Sequence, residues 1–128
     1  MPTLPDLAKK LIDDKNFATL ATVNPDGSPQ SSVIWVKREN EVVVFSTIHG
    51  RRKTLNMQRD PRVSLVLFDP AQPYEYAEIR GEVSMTTEGG PELIQELSLR
   101  YDGVAFREKD PAAQRVVCRL IPTKVVIR

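Results

Sequence analysis

The spacing of the strand-forming runs constrains this chain most. Phe17–Val23, Gln30–Lys37 and Glu41–Thr47 are rich in β-branched and aromatic residues. Only short polar stretches separate them. Asn24-Pro25-Asp26-Gly27 is a strong turn signal, because proline presets φ and glycine accepts positive φ. Arg38-Glu39-Asn40 reads as a second turn. Parallel neighbours need a long crossover connection, whereas tight turns join antiparallel ones. Arg62–Phe68 and a long run, Tyr74–Thr86, continue the pattern, with Gly81 a plausible bulge or bend. Arg115–Ile121 and Lys124–Arg128 form a final strand interrupted by Pro122.

Helical periodicity is confined to three short places. Leu4, Leu7, Ala8 and Leu11 recur at helical spacing, and Thr3-Leu4-Pro5-Asp6 reads as the start, with Thr3 as cap. That helix ends near Asp13. Arg51–Arg59 forms a second, stopped by Asp60-Pro61. Pro91–Tyr101 carries Leu93, Ile94, Leu97 and Tyr101 on one stripe. So few helices cannot cover both faces of a parallel sheet. The expected class is mainly β, an antiparallel barrel with short flanking helices.

The 128 residues, without internal repeats, are expected to form one domain over residues 1–128. A formal net charge of +1 argues against a nucleic-acid partner. The apolar stretches are too short to span a bilayer, and Met1–Lys10 has no leader pattern. With Cys118 the single cysteine, a cytoplasmic protein without disulfides is expected.

Charge is nevertheless clustered. Ser46 and Thr47 end the third strand, Gly50 follows, and Arg51, Arg52 and Lys53 open the next helix. Cations are unfavourable at a helix N-terminus unless an anion sits there. Two readings stand: a phosphate site, or a solvated basic face. No G-x-x-x-x-G-K-[ST] or G-x-G-x-x-G motif is present. Trp35, on the second strand, lines a ring pocket or packs in the core. Tyr74 and Tyr76 share a strand face and close over a planar cofactor, pack at a subunit interface or sit on the barrel surface. His49 is the lone histidine, and the carboxylates form no metal or acid–base pair. Chemistry, if any, must then come from a cofactor.

Four stretches carry a family resemblance: FATLATVNPDGSPQSSVIWV, VFSTIHGRRKTLNMQRDPRVSLVL, YAEIRGEV and LSLRYDG. The chain resembles the pyridoxamine 5′-phosphate oxidase-like split-barrel superfamily. Within it, the chain is similar to the actinobacterial group that uses the deazaflavin coenzyme F420. The resemblance implies a split antiparallel β-barrel that forms a homodimer, with cofactor sites at the dimer interface. It places the cofactor phosphate on Ser46, Thr47, Arg51, Arg52 and Lys53. It lays the ring against Val33–Val36, including Val33 and Trp35, and brings Tyr74 and Tyr76 from the other subunit. The implied activity is hydride transfer from reduced F420 to an electron-poor small molecule. FMN-binding relatives carry a similar basic segment, so an FMN oxidoreductase is the alternative, and a non-catalytic F420 carrier is a third. The family's C-terminal pyridoxal-phosphate-binding region has no match up to Arg128, so pyridoxamine phosphate oxidation is not expected.

Overall fold

A computed structural model describes residues 2–128. The elements run α1 (Asp6–Asp13), β1 (Ala18–Val23), β2 (Pro29–Ile34), β3 (Lys37–Glu39), β4 (Val42–Ile48), α2 (Arg52–Arg59), β5 (Arg62–Asp69), β6 (Gln72–Thr86), α3 (Gly90–Tyr101) and β7 (Arg115–Ile127). All seven strands belong to one sheet, ordered β2-β1-β5-β6-β7-β4-β3, and every pairing is antiparallel. The edge strands β2 and β3 are consecutive in the chain, joined by Trp35 and Val36. The sheet therefore curls until its edges meet at that link without pairing, which is the split antiparallel β-barrel.

Alternation decides what fills the barrel. On β1, Ala18, Leu20 and Thr22 point inward and are buried. Leu65 and Leu67 of β5, Ala77 and Ile79 of β6, and Phe45 of β4 join them. Ala8, Leu11 and Ile12 of α1 and Met57 of α2 complete this core. The opposite face of β4 and β7 is covered too. Val44 and Val117 point outward and pack on Leu93 and Leu97 of α3. A strand buried on both faces needs no polar alternation, hence the unbroken Val42–Phe45 run.

Four sequence expectations need correction. Thr3 does not cap α1: Pro5 holds the N-cap position, and no side chain bonds the first amides. The run expected from Gln30 to Lys37 breaks at Trp35, and Lys37–Glu39 pairs with Val42–Val44 as a separate strand. Its turn lies at Asn40, whose φ of 54° asparagine tolerates well. The loop expected over Asp69–Pro73 shrinks, because β6 starts at Gln72. Finally, Pro122 does not interrupt β7. The register slips between Arg80 and Gly81, so Pro122 faces Gly81 and Lys124 faces Arg80. A bulge absorbs the proline's missing donor. Gly81 permits the close approach, since a Cβ there would lie 2.1 Å from the Ile121 carbonyl oxygen.

Candidate functional site: a basic cleft with an aromatic wall

β4 and α2 build the cationic part of the site. Beyond Ile48 the chain turns through Gly50 at φ 93°, with the Arg51 amide bonded to the Ile48 carbonyl (3.2 Å). Thr54 anchors the new helix. Its hydroxyl donates to the Ile48 carbonyl (2.7 Å), so the Thr47 hydroxyl donates to Thr54 (2.9 Å). Arg51 occupies the N-cap position, and no side chain caps the α2 amides.

Deeper along α2, Asn56 ties the helix to the β1–β2 hairpin. Fully buried, it donates to Thr22 Oγ1 (3.0 Å) and to Asn24 Oδ1 (2.9 Å). Thr22 in turn donates to Gln30 Oε1 (2.6 Å). With both ends of α2 fastened, Lys53 is aimed at β2, where its ammonium donates to Ser32 Oγ (3.3 Å). Burial pushes the Lys53 pKa down, and the nearby Arg51 and Arg115 cations add to this. Among the described residues, no carboxylate pairs with Arg51, Arg52 or Lys53.

Arg51 and Lys53 open onto a cleft of about 260 Å³. Ser46, Arg51, Lys53 and Arg115 supply its polar lining, and Phe17, Val33, Trp35, Ile94, Leu97 and Phe106 most of the apolar lining. Trp35 is held from behind. Its ring stacks on Tyr101 at 5.6 Å and 16°, and Phe17 leans on the same tyrosine at 5.4 Å. The Tyr101 hydroxyl accepts the Val36 amide (3.0 Å) and reaches the Asn16 carbonyl at 2.9 Å. The link between β2 and β3 is thus pinned where the aromatic wall stands.

The expected site residues divide as follows. Val33, Trp35, Ser46, Arg51 and Lys53 line one cleft. Thr47 does not, because neighbouring residues on a strand face opposite sides; Ser46 faces the cleft and Thr47 the interior. Arg52 is exposed on the first turn of α2, outside the cleft. Tyr74 and Tyr76 lie at the start of β6, also outside it; Tyr74 is 87% exposed, and Tyr76 sits opposite Phe68. Phe17, Ile94, Leu97, Phe106 and Arg115 line the cleft without having been anticipated. Arg115 is the important omission. It stands opposite Ile48 through the pairing of β7 with β4, a long-range contact that no local pattern reveals.

Cys118 lies in the barrel core, where burial pushes its thiol up to about 12, so it is no nucleophile. Among the described residues, no group of three His, Cys, Asp or Glu could hold a metal, and no helix is long and apolar enough to cross a membrane.

Known proteins share this architecture. The family model for pyridoxamine 5′-phosphate oxidase matches residues 4–127. The chain belongs to this family. Pyridoxine/pyridoxamine 5′-phosphate oxidase of Bordetella pertussis is 36% identical over 58 residues. That match covers 44% of the chain and 28% of the curated relative's length. A solved F420 reductase superposes with a TM-score of 0.86 at 31% identity, covering 96% of this chain and 98% of that one. A pyridoxamine 5′-phosphate oxidase-related, FMN-binding protein of Nostoc punctiforme shares the fold, with a TM-score of 0.64 at 15% identity over 87% of this chain and 72% of the other. The oxidase and the reductase among these proteins are oxidoreductases by name, and the Nostoc protein is named for binding FMN.

Proposed function

We propose that this chain is a cytoplasmic homodimer that binds coenzyme F420 in the cleft and passes hydride from its reduced form to an electron-poor small molecule. The observation that carries this reading is the pairing of unneutralised cations with a flat aromatic wall. Arg51 and Lys53 open onto the same cleft as Trp35 and Phe17. A half-buried ammonium flanked by arginines, with no carboxylate partner, is relieved by an anionic ligand. The F420 reductase, alike over nearly the whole of both chains, favours a deazaflavin as that ligand.

The residues fit such a cofactor in kind. Ser46, Arg51 and Lys53 would hold its phosphate through a hydroxyl, a guanidinium fork and an ammonium. Val33 and Trp35 would support its ring. When bound, reduced F420 supplies the hydride. The chain contributes binding, orientation and exclusion of water. Within one chain no carboxylate, imidazole or phenol lines the cleft, and solvent can supply the proton that completes the reduction.

An FMN-dependent oxidoreductase is the second reading, favoured by the FMN-binding protein of the same fold. Parallel fluorescence titrations with F420 and FMN decide between them. Tighter F420 binding, followed by oxidation of reduced F420 when acceptors such as quinones are added, supports the proposal. Tighter FMN binding replaces it with the second reading. F420 binding without turnover on any acceptor reduces it to a carrier.

A further inference from the structure

Arg115 stands out among the ion-paired residues. Its side chain is only 9% exposed, lower than any other paired cation among the described residues. Nε and Nη2 both bond Glu108, at 2.7 and 3.3 Å. The guanidinium lies over the Phe106 ring, 4.8 Å from its centroid. One edge and one face of the group are thereby engaged. The remaining nitrogen, Nη1, meets only the Ser46 hydroxyl, at 3.5 Å, the outer limit of a hydrogen bond. Nη1 carries two N–H donors, and both Ser46 and Arg115 line the cleft.

The holder of this arginine is itself fastened. The Gln95 amide of α3 grips the Phe106 backbone from both sides, donating to its carbonyl (2.7 Å) and accepting its amide (2.9 Å). Ser98 donates to the Val104 carbonyl (2.7 Å). The segment carrying Phe106 and Glu108 is therefore tied to a helix packed on the barrel. An arginine held along one edge, with its free edge aimed into a cationic cleft, is preorganised for an anion.

We infer that Arg115 is a third phosphate-binding cation of the cleft, beside Arg51 and Lys53, and that Glu108 and Phe106 are the positioning residues that turn its free Nη1 edge toward the ligand. The inference rests on the reading that the cleft takes a phosphate-bearing ring cofactor, though not on which one. Three cations then converge on the phosphate, one each from the turn before α2, α2 itself and β7. Glu108 occupies the Nε–Nη2 edge of Arg115 and leaves Nη1 for the ligand.

The test compares ligands with and without the phosphate: FMN against riboflavin, which differ in the phosphate alone, and F420 against its phosphate-free deazaflavin, which also lacks the tail beyond the phosphate. Quenching of Trp35, the single tryptophan and part of the cleft, reports binding in each case. Arg115→Gln is expected to weaken the phosphate-bearing members about tenfold to a hundredfold. The phosphate-free members should bind as before. Glu108→Gln should lose affinity for the same members only. Because Arg115→Gln alone strands the Glu108 carboxylate, the Arg115→Gln/Glu108→Gln double variant is measured beside it. Inorganic pyrophosphate should raise the melting temperature of the wild type and not of either Arg115 variant. Equal losses on both members of a pair, or no loss, overturn the inference. So does a wild type that neither prefers phosphate-bearing ligands nor responds to pyrophosphate. FMN outranking F420 would sink the deazaflavin reading alone, and the FMN–riboflavin contrast would still decide the role of Arg115.

Discussion

At the scale of single residues, Lys53 has the most to gain from a ligand. Its ammonium is half-buried, its pKa is depressed by that burial and by Arg51 and Arg115, and its one hydrogen bond is to a serine. Truncation to alanine should weaken F420 about tenfold to a hundredfold while leaving the protein folded. The depressed pKa also sets a pH dependence. Only the protonated amine pairs with the phosphate, and the phosphodiester of F420 keeps a single negative charge across the neutral and alkaline range. Affinity should therefore fall as pH rises toward 10.5, the ordinary lysine value, with the loss starting earlier than an unshifted lysine would give. Lys53→Arg, which keeps its charge throughout, should bind with a flat profile. A flat wild-type profile over that range would remove Lys53 from the phosphate site.

At the scale of elements, the site depends on how α2 is tied down. Asn56 is buried, and both its amide protons are used to hold Thr22 and Asn24. Asn56→Ala leaves polar partners on the hairpin unsatisfied and should cost about 2 kcal/mol, read from urea unfolding with an unchanged slope. Phosphate-bearing ligands should also bind the variant less tightly than wild type, because Lys53 rides on the same helix. A stable variant with intact affinity would show that the Thr47–Thr54 end alone fixes α2. This level was partly legible beforehand. All three helices, and every strand but Lys37–Glu39, are written in local periodicity and turn chemistry, so the antiparallel barrel follows from neighbouring residues. What escaped depends on partners far along the chain. Pro122 is tolerated because Gly81 faces it across a bulge, and Arg115 reaches the cleft because β7 pairs with β4. Thr47 is different. Strand alternation already separates it from Ser46, and reading the pair as one hydroxyl cluster overlooked the strand's period of two.

At the scale of the whole molecule, the outer face of the sheet is covered on one half only. α3 shields Val44 and Val117 on β4 and β7. On the other half, across β2, β1, β5 and β6, Val33 is 66% and Phe68 42% exposed, with Tyr76 opposite Phe68. Phe17, 58% exposed, precedes β1 and lines the cleft, as does Val33, so this apolar face runs into the site. An apolar sheet face needs another layer, and among the described residues no helix supplies one. A second copy of the chain fits the requirement, because a two-fold axis sets the same patch against itself and closes the assembly. The partner's Tyr74 and Tyr76 would then be free to approach the cleft that they do not reach within one chain. The wild type should sediment as a dimer at micromolar concentration. Phe68→Glu alters an exposed strand position and should sediment as a folded monomer, because the charge would be desolvated in the interface. It should also bind F420 more weakly despite leaving every cleft-lining residue in place. A monomeric wild type would overturn the dimer. A monomeric Phe68→Glu protein with undiminished affinity would show that each cleft is complete within its own chain, and would return Tyr74 and Tyr76 to the barrel surface.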